Sequence, residues 1–488
     1  MIQADTYYRA MLAKDRRFDG TFFVAVHTTK IYCRPICPAR KPLRKNVTFY
    51  PSAAAAEEAG YRPCLRCRPE TSPGTPAWRG SSAVVARALR LIAAGVVERE
   101  GMEGLILRSG IGERQLRRLF VQHLGAAPHD IVRVRRLDFA QRLLDDTAMS
   151  VTQVAFASGF GSVRSFNHAF RERFGRSPTE RRKRSDKTTE PSLAVKLPFR
   201  PPYDWASLIE FFSARSIPGV ERIRNGVYER TVDLGQSRGY LRAELEPDKN
   251  RLELSLDLSN QERLMEMVNR ARALFDTEAD PLAISAQLGR DPVLKNGLRR
   301  FPGLRLPGCW SGFEAAVRAI LGQQVSLSGA RLFLQRLTQA CGTPLSRDGK
   351  DDLTHLFPTA AQIAGSPLTD IGLTRARAET LRRLAIEVES GRLVLDGSED
   401  IAQTKEKLLA IKGVGPWTAE YISLRALQDP DAFPESDLVL RREMKRVGST
   451  GELWRPWRAY AAIHLWKAAT SSKGGQHVLS RSIKHSSR

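Results

Sequence analysis

The glycine turn Gly413-Val414-Gly415 and the carboxylate of Asp437 could together act on a phosphate-linked substrate. Because glycine lacks a Cβ atom, such a turn lets backbone N–H groups approach a nucleic-acid phosphate closely. Lys412 precedes the turn and can add positive charge to the same contact. Helical patterns flank the turn, so the segment predicts a helix, a hairpin and a second helix. An aspartate delivered beside this anchor could act on the sugar or base of the bound nucleotide.

Four cysteines form two close pairs, Cys33 with Cys37 and Cys64 with Cys67. Tetrahedral Zn²⁺ takes four sulfur ligands from two such pairs when each lies in a tight turn. A large chain without a secretion signal does not favour a disulfide framework. We therefore predict one Zn²⁺ held by all four cysteines. A purely structural zinc site and a reactive zinc-thiolate centre are both compatible with this spacing.

Two arginine-rich segments, residues 111–128 and 151–178, each predict a helix-turn-helix unit. In the second, Phe166, Phe170 and Phe174 recur every four residues, as on the core-facing side of a helix. Side chains off this apolar stripe, and off its counterpart in the first unit, could reach a major groove. They are Arg114, Gln115, Arg117, Arg118, Arg164, Ser165, Asn167, His168 and Arg171. The alternative is a plain helical bundle with solvated arginines.

The charge balance favours a polyanionic partner. The net charge is +24, and residues 1–190 carry 34 Lys and Arg against 18 Asp and Glu. Such an excess favours double-stranded DNA over a membrane, although general solubility charge is the alternative explanation. No run of 18 apolar residues is present, and the first residues lack the apolar segment of a signal peptide. We therefore expect a cytoplasmic protein.

Changes in composition predict a multidomain, mostly α-helical chain. Polar and apolar residues alternate at 226–258, which predicts an antiparallel sheet within an α+β subdomain. The cysteine cluster predicts a small α+β zinc domain. The expected boundaries are 1–75 for the zinc domain, 83–180 for the helix-turn-helix domain, 181–196 for a linker, 197–285 for the sheet subdomain, 286–470 for the helix-hairpin-helix domain and 471–488 for a disordered tail.

The segment from RFDGTFF to CLRCRPE resembles the N-terminal domain of the Ada adaptive-response family, over about 60 residues and with all four cysteines in place. This resemblance implies that zinc-bound Cys33 accepts a methyl group from a DNA methylphosphotriester. Methylation would remove one negative charge from the metal centre, so DNA binding should tighten. Residues 83–180 resemble the AraC-type DNA-binding domain, including the closing FGRSP. Together they imply a transcription regulator that binds promoter DNA.

Residues 197–468 resemble the AlkA-type 3-methyladenine DNA glycosylases of the helix-hairpin-helix superfamily. The matching segments are PPYDW, FPGLRLPGCW, FEAAVRAILGQQVS, KGVGPWTA and WRPWRAYAAIHLW. The resemblance implies hydrolysis of the N-glycosidic bond of alkylated bases such as 3-methyladenine and 7-methylguanine, without a cofactor. Asp437 would stabilise the oxocarbenium ion, and the flipped base would lie against Trp417, Tyr421 and Trp466. We expect a monomer.

Three positions bear on this resemblance. Trp417 stands where bifunctional relatives carry a Schiff-base lysine, which predicts a monofunctional, water-based enzyme. Gln324 stands at the position of the leucine that fills the gap left by the flipped base, and Leu438 at a position that is usually tyrosine. Asp437 could instead serve only as a helix cap, and the tryptophans as core residues.

Two other functions remain open. In the first, the chain is an alkylation-responsive regulator whose glycosylase half only binds damage. In the second, it is a nonspecific DNA-binding protein with a structural zinc.

Overall fold

The computed structural model of the protein describes residues 2–64, 66–67, 69, 72, 83–182, 193–235, 237–261, 263–345, 352–369 and 371–483. Residues 73–82, at the predicted boundary between the zinc domain and the helix-turn-helix domain, lie outside the described part, as do residues 183–192 of the predicted linker at 181–196. Within the described part, no helix is long and apolar enough to cross a membrane. The multidomain, mostly α-helical architecture with a small α+β cysteine-bearing domain and an antiparallel sheet subdomain is confirmed.

The N-terminal domain packs two helices on a four-stranded sheet with the order β3-β1-β2-β4. Its elements are α1 (Ile2–Ala13), β1 (Phe23–Val26), β2 (Ile31–Cys33), β3 (Val47–Tyr50), α2 (Ala53–Glu58) and β4 (Arg62–Pro63). Strand β4 lies parallel to β2, with Pro63 opposite Tyr32. This register places the residues that follow, Cys33 and Cys64, side by side.

The second domain is helical throughout its described part, as predicted. Its helices are α3 (Ala83–Ala93), α4 (Val96–Ser109), α5 (Glu113–Leu124), α6 (Pro128–Asp146), α7 (Val151–Ala157), α8 (Val163–Phe174) and α9 (Pro178–Arg182). Ser150 and Gln153 form a reciprocal capping box that starts α7. Phe166 and Phe170 are fully buried on α8, which confirms the predicted core-facing side of this helix.

The third region is a five-stranded antiparallel sheet with the order β5-β9-β8-β7-β6. Its elements are β5 (Leu193–Pro198), α10 (Trp205–Ser213), β6 (Glu221–Arg224), β7 (Val227–Leu234), β8 (Ser237–Glu246), β9 (Arg251–Leu258) and α11 (Leu264–Leu274). The strands expected within 226–258 are therefore present. The linker boundary at 196 is wrong, because β5 begins at Leu193 and pairs along its length with β9. The alternating residues Leu193, Val195 and Leu197 are buried. Residues 193–196 of the predicted linker therefore belong to the sheet.

The remaining helices form the C-terminal domain. They are α12 (Pro281–Leu288), α13 (Pro292–Arg300), α14 (Gly312–Leu321), α15 (Leu327–Cys341), α16 (Ala360–Gly365), α17 (Arg375–Glu389), α18 (Ile401–Ala410), α19 (Pro416–Arg425), α20 (Leu438–Val447) and α21 (Arg458–Ile483). The predicted disordered tail is wrong for residues 471–483, since α21 continues to Ile483. No proline interrupts this helix to stop it earlier. Residues 484–488 lie outside the described part.

A buried charge cluster joins α8 to the cysteine-bearing domain. The guanidinium of Arg173 contacts Glu57 at 2.7 Å and Asp138 at 2.8 Å, and it donates to the Tyr32 hydroxyl at 3.2 Å. Burial lowers the pKa of Arg173, but Asp138 and Glu57 outweigh it and raise the pKa above its ordinary value. Tyr32 precedes Cys33, so the cluster connects α8 with the strand that carries this cysteine.

Candidate active site and metal centre

The four cysteines predicted to bind metal meet at one end of the N-terminal sheet. Their sulfur atoms all lie within 4.8 Å of one another. A tetrahedral zinc site with sulfur ligands needs sulfur–sulfur distances of roughly 3.8 Å. Small side-chain adjustments would therefore bring the four sulfur atoms to zinc-binding distance. Four thiols with no competing oxygen ligand fit zinc by chemistry as well as by spacing. Cys64 and Cys67 are buried, whereas Cys33 and Cys37 are half-buried.

Arg34 fixes the turns that carry these sulfurs. Its backbone N–H donates to Cys67 Sγ at 3.3 Å, and its guanidinium donates to the Cys67 carbonyl at 3.2 Å. Asp19 holds the other side of this guanidinium through an ion pair. Hydrogen bonding to Cys33 lowers the pKa of the Cys37 thiol to about 7. Hydrogen bonds among the four thiols also lower the pKa of Cys64, but the pKa of Cys33 and of Cys67 is raised. Deprotonation of all four sulfurs, which metal ligation requires, therefore calls for the positive charge of the ion itself.

The predicted recognition side chains lie on the outer faces of two helices. On α5, Arg114, Gln115, Arg117 and Arg118 are exposed around the buried Leu116. On α8, Arg164, Ser165, His168 and Arg171 are exposed and Asn167 is half-buried. The Ser165 hydroxyl donates to the Ser162 carbonyl at 2.9 Å, at the start of the helix. Contact of these residues with DNA stays a prediction.

The predicted glycine hairpin joins α18 to α19. Gly413 has φ +98°, and a Cβ atom there would lie 2.1 Å from Thr380 Oγ1. The same hydroxyl donates to the Lys412 carbonyl at 3.0 Å, so α17 supports the turn from behind. Gly415 caps α19 with open space where a Cβ atom would lie. The Lys412 side chain is exposed. The hairpin therefore presents open backbone beside a cation.

Asp437 accepts four hydrogen bonds. Its Oδ2 atom accepts from Trp417 Nε1 at 3.0 Å, and its Oδ1 atom accepts from Trp466 Nε1 at 3.1 Å. The backbone N–H groups of Val439 and Leu440 also donate to Oδ1, each at 3.0 Å. Asp437 thus caps α20, as one reading of the sequence proposed, and is also fixed by two indoles. Its carboxylate has a single supported orientation.

This carboxylate lies in the wall of a cavity of about 510 Å³, which Trp417, Tyr421 and Trp466 also line. The volume is typical of small-molecule sites, which span roughly 300–1,000 Å³. Trp417 and Tyr421 stack on each other with their ring centres 5.1 Å apart, so a base could not enter between them. Burial raises the pKa of the Tyr421 phenol, but Arg425 and Arg215 outweigh burial and lower it overall.

Comparisons with known proteins identify the chain. Residues 194–311 match the AlkA N-terminal domain, residues 6–70 the metal binding domain of Ada, and residues 106–184 a helix-turn-helix domain. The probable bifunctional transcriptional activator/DNA repair enzyme AlkA of Mycobacterium tuberculosis is 42% identical over 474 residues, which are 94% of this chain and 95% of that protein. The chain belongs to the family of these bifunctional AlkA proteins.

Two further relatives match separate parts of this chain. DNA-3-methyladenine glycosylase 2 of Escherichia coli is 33% identical over 280 residues, 55% of this chain and 95% of that protein. The bifunctional transcriptional activator/DNA repair enzyme Ada of Escherichia coli is 53% identical over 66 residues, 14% of this chain and 19% of that protein. The match to the metal binding domain of Ada spans all four cysteines, so the cluster is a metal centre.

Gln323 is a residue near the candidate site that was not identified from the sequence. Its side-chain amide donates to the Gly413 carbonyl at 3.0 Å and to Thr418 Oγ1 at 2.8 Å. Its neighbour Gln324, the predicted gap-filling residue, is exposed and has φ +53°. Nothing in the sequence distinguishes the two adjacent glutamines, because only the folded loop decides which one faces the hairpin.

Arg425 is a second residue of the candidate site that was not identified from the sequence. It donates to the Tyr421 hydroxyl at 2.9 Å and to the carbonyls of Pro307 and Gly308, so it holds three lining segments of the cavity together. Its spacing of four residues from Tyr421 on a helix was the available signal.

Proposed function

We propose that the C-terminal half of this protein hydrolyses the N-glycosidic bond of alkylated bases, of the 3-methyladenine and 7-methylguanine type, in double-stranded DNA. The observation that carries this proposal is Asp437, a carboxylate fixed by two indole donors in the wall of a base-sized cavity. Gly415, which has open space where a Cβ atom would lie, would let a phosphate near the flipped nucleotide approach the backbone of the hairpin. The relative named DNA-3-methyladenine glycosylase 2 supports the same reaction.

The chemistry follows from the charge of the site. As the bond between C1′ and the base nitrogen breaks, its electron pair leaves with the cationic alkylated base, which becomes neutral. The sugar becomes an oxocarbenium ion, which the Asp437 carboxylate stabilises electrostatically in a cavity with limited solvent. Water then attacks C1′ and loses one proton to the solvent, and the product is an abasic site. Trp417 has no amine that could form a Schiff base, so we infer a monofunctional enzyme that leaves the strand intact.

The test is the release of 3-methyladenine from methylated duplex DNA. Wild type should release the base, and Asp437→Asn should lose this activity while remaining folded, since asparagine is also a good helix cap. Absence of release by wild type would instead favour the alternative, a regulator whose glycosylase half only binds damage. The supported orientation of Asp437 favours the enzyme, because a residual damage-binding module would not require it.

We further propose that the N-terminal domain accepts a methyl group from DNA. Cys33, Cys37, Cys64 and Cys67 would hold one Zn²⁺, which when bound keeps the sulfurs deprotonated. Cys33 Sγ would then attack the methyl carbon of a methylphosphotriester. The carbon–oxygen bond breaks, its electron pair stays on the phosphate oxygen, and S-methylcysteine forms. Cys33 and Cys37 are the half-buried members of the cluster, so access favours this pair. Resemblance to Ada selects Cys33.

This transfer would also act as a switch for promoter binding. Four thiolates around Zn²⁺ carry a net charge of about −2, and methylation of one leaves about −1, so repulsion of DNA phosphate falls. Transfer of labelled methyl from DNA to wild-type protein but not to Cys33→Ala would support the proposal. A labelled Cys33→Ala protein would show that another sulfur is the acceptor. One metal ion per chain, measured by elemental analysis, would support the proposed zinc count.

A further inference from the structure

One fully buried side chain, that of Arg200, connects the N-terminal domain with the C-terminal half of the protein. Arg200 follows β5, and its Nε atom donates to the Asp19 carbonyl at 2.9 Å. Its Nη1 atom donates to the carbonyl of Glu278 at 2.7 Å and to that of Ala279 at 3.3 Å. Asp19 lies between α1 and β1 of the N-terminal domain, whereas Glu278 and Ala279 lie between α11 and α12. The guanidinium of Arg200 therefore contacts both parts of the chain at once.

Hydrogen bonds on the N-terminal side of Arg200 lead to the metal centre. The Asp19 carboxylate forms an ion pair with Arg34. Arg34 in turn donates to the sulfur of Cys67 at 3.3 Å and to the carbonyl of Cys67 at 3.2 Å. Cys67 is one of the four residues whose sulfurs must converge when they bind zinc. Binding or loss of metal would therefore act on the ion pair that positions Asp19.

Hydrogen bonds on the C-terminal side of Arg200 lead to the base-sized cavity. The Arg200 carbonyl accepts from the guanidinium of Arg305, which is also buried and lines this cavity. Two carbonyls further along the same segment accept from Arg425, which donates to the Tyr421 hydroxyl at 2.9 Å. An unbroken series of hydrogen bonds and neighbouring residues thus leads from Cys67 to Tyr421.

The burial of Arg200 makes this series sensitive to the contact between the domains. Burial lowers the pKa of Arg200 to about 10, and the negative charges of Asp280 and Asp19 offset only part of this effect. A guanidinium removed from water is stabilised only where acceptors satisfy its N–H groups. If the N-terminal domain moved, Arg200 would lose the Asp19 carbonyl, and its side chain would have to shift. Such a shift would disturb the contact of the same residue with Arg305 in the cavity wall.

We propose that Arg200 couples the metal centre to the cavity of the glycosylase half. While the cysteines hold metal, Arg34 and Asp19 stay fixed, and Arg200 keeps Arg305 in place in the cavity wall. Loss of the metal releases the first of these contacts and loosens the wall. Coupling between two sites is reciprocal and is typically about five- to 150-fold, so a DNA ligand at the cavity strengthens metal binding by the factor by which metal strengthens its own binding. The inference rests on the proposed glycosylase function for the identity of this ligand, but it can be measured without base release.

Hydrogen exchange of the full chain with and without zinc, followed by mass spectrometry, tests the coupling. Peptides that contain Leu306 and Gly308 report on the cavity wall, because these N–H groups donate to the Asp276 carboxylate and the Leu274 carbonyl, each at 3.0 Å. In wild type, we expect removal of zinc by a chelator to speed exchange in these peptides by about fivefold or more. In Arg200→Lys, one ammonium group replaces the planar guanidinium that reaches both domains. Zinc removal should then leave exchange in these peptides unchanged.

Lys196→Ala is the matched control for Arg200→Lys. Lys196 also lies on the β5 side of the domain contact, and its ion pair with Asp146 at 3.0 Å also joins the two halves, but it is not part of the series from Cys67 to Tyr421. This variant should respond to zinc removal as wild type does. Exchange that is independent of zinc in wild type would overturn the proposal. A response of equal size in Arg200→Lys would overturn the role of this arginine.

The reciprocal measurement is the zinc affinity of the full chain, obtained by competition with a chromophoric chelator in the presence of duplex DNA. One duplex contains a tetrahydrofuran analogue of the abasic product, and the other has the same sequence without it. Wild type should bind zinc about fivefold more tightly with the analogue, and Arg200→Lys should bind zinc equally with both duplexes. Equal affinities in wild type would contradict the coupling. If wild type shows the difference but releases no 3-methyladenine, the proposed hydrolysis fails while the coupling stands.

Discussion

The side-chain amide of Gln323 donates to the Gly413 carbonyl at 3.0 Å, across 90 residues of sequence. Its second hydrogen bond, to Thr418, holds the same amide against the start of α19. Gln323→Leu keeps the size of the side chain and removes both donors. The two hydrogen bonds contribute about 1 kcal/mol each, so their loss should weaken DNA affinity by up to roughly thirtyfold. We expect KM to rise while kcat stays within about twofold, which fluorescence anisotropy and saturation kinetics would check. A lower kcat with unchanged KM would contradict this role.

The two hairpin glycines should respond differently to alanine. Gly413→Ala forces a Cβ atom to 2.1 Å from Thr380 Oγ1 at φ +98°, so we expect it to destabilise the C-terminal domain by a few kcal/mol. Gly415→Ala meets no atom within 4 Å and has an ordinary φ of −96°, so the fold should tolerate it. Its new methyl group should nevertheless obstruct a phosphate and weaken DNA binding. Thermal unfolding and binding measurements on both variants separate the two effects.

The indole donors to Asp437 can be removed singly. Trp417→Phe and Trp466→Phe each keep an aromatic ring and lose one hydrogen bond to the carboxylate. Because hydrogen bonds to charged groups contribute about 1.5–3 kcal/mol, we expect base release to slow by roughly tenfold or more. The two backbone donors remain, so α20 should stay capped. Single-turnover release measures the effect, and unchanged rates in both variants would show that the caps alone orient the carboxylate.

His464 should make the C-terminal domain sensitive to acid. Burial lowers the pKa of His464 from 6.5 to about 4. As the pH falls from 6.5 to 4, His464 therefore takes up a proton in the unfolded chain before it does so in the folded chain. The folded state should lose stability by about 1.4 kcal/mol for each pH unit between 6.5 and 4. His464→Gln should remove this dependence.

Urea unfolding of wild type and His464→Gln at pH 7 and pH 5 gives the measurement. The difference between the two proteins isolates His464, because every other titrating group is shared. Equal losses of stability on acidification in both proteins would contradict the assignment.

Sequence reasoning could select two sets of candidate site residues because the patterns that define them are local. The spacing of four cysteines and the order of glycines, tryptophan and aspartate each survive in a short segment, and the folded chain brings the members of each set together. The burial period of Phe166 and Phe170 likewise predicted α8. Such features depend on neighbours within a few residues or on one strongly constrained motif.

The structural features that could not be predicted from the sequence depend on contacts between residues that lie far apart in the chain. From the sequence, the first residues of β5 were assigned to a polar linker, because their pairing with β9 could not be foreseen. The choice between Gln323 and Gln324 follows from which amide the loop turns toward a hairpin 90 residues later. The mutual stacking of Trp417 and Tyr421 was also invisible, because two aromatic residues at helical spacing can stack or splay apart. Tertiary geometry decides each of these cases.

The Arg173 cluster limits how the regulatory half can be divided. A fragment that starts at residue 83 would lack Glu57 and Tyr32, and Asp138 would be the remaining member of the cluster that faces this buried guanidinium. Breaking a buried ion pair from one side leaves an uncompensated charge, which is more harmful than never having had the pair. A chimaera that exchanges the N-terminal domain would meet the same difficulty unless the donor domain carries an equivalent glutamate and tyrosine. The two domains are therefore consecutive in the sequence, but they share one buried cluster of charged and polar side chains.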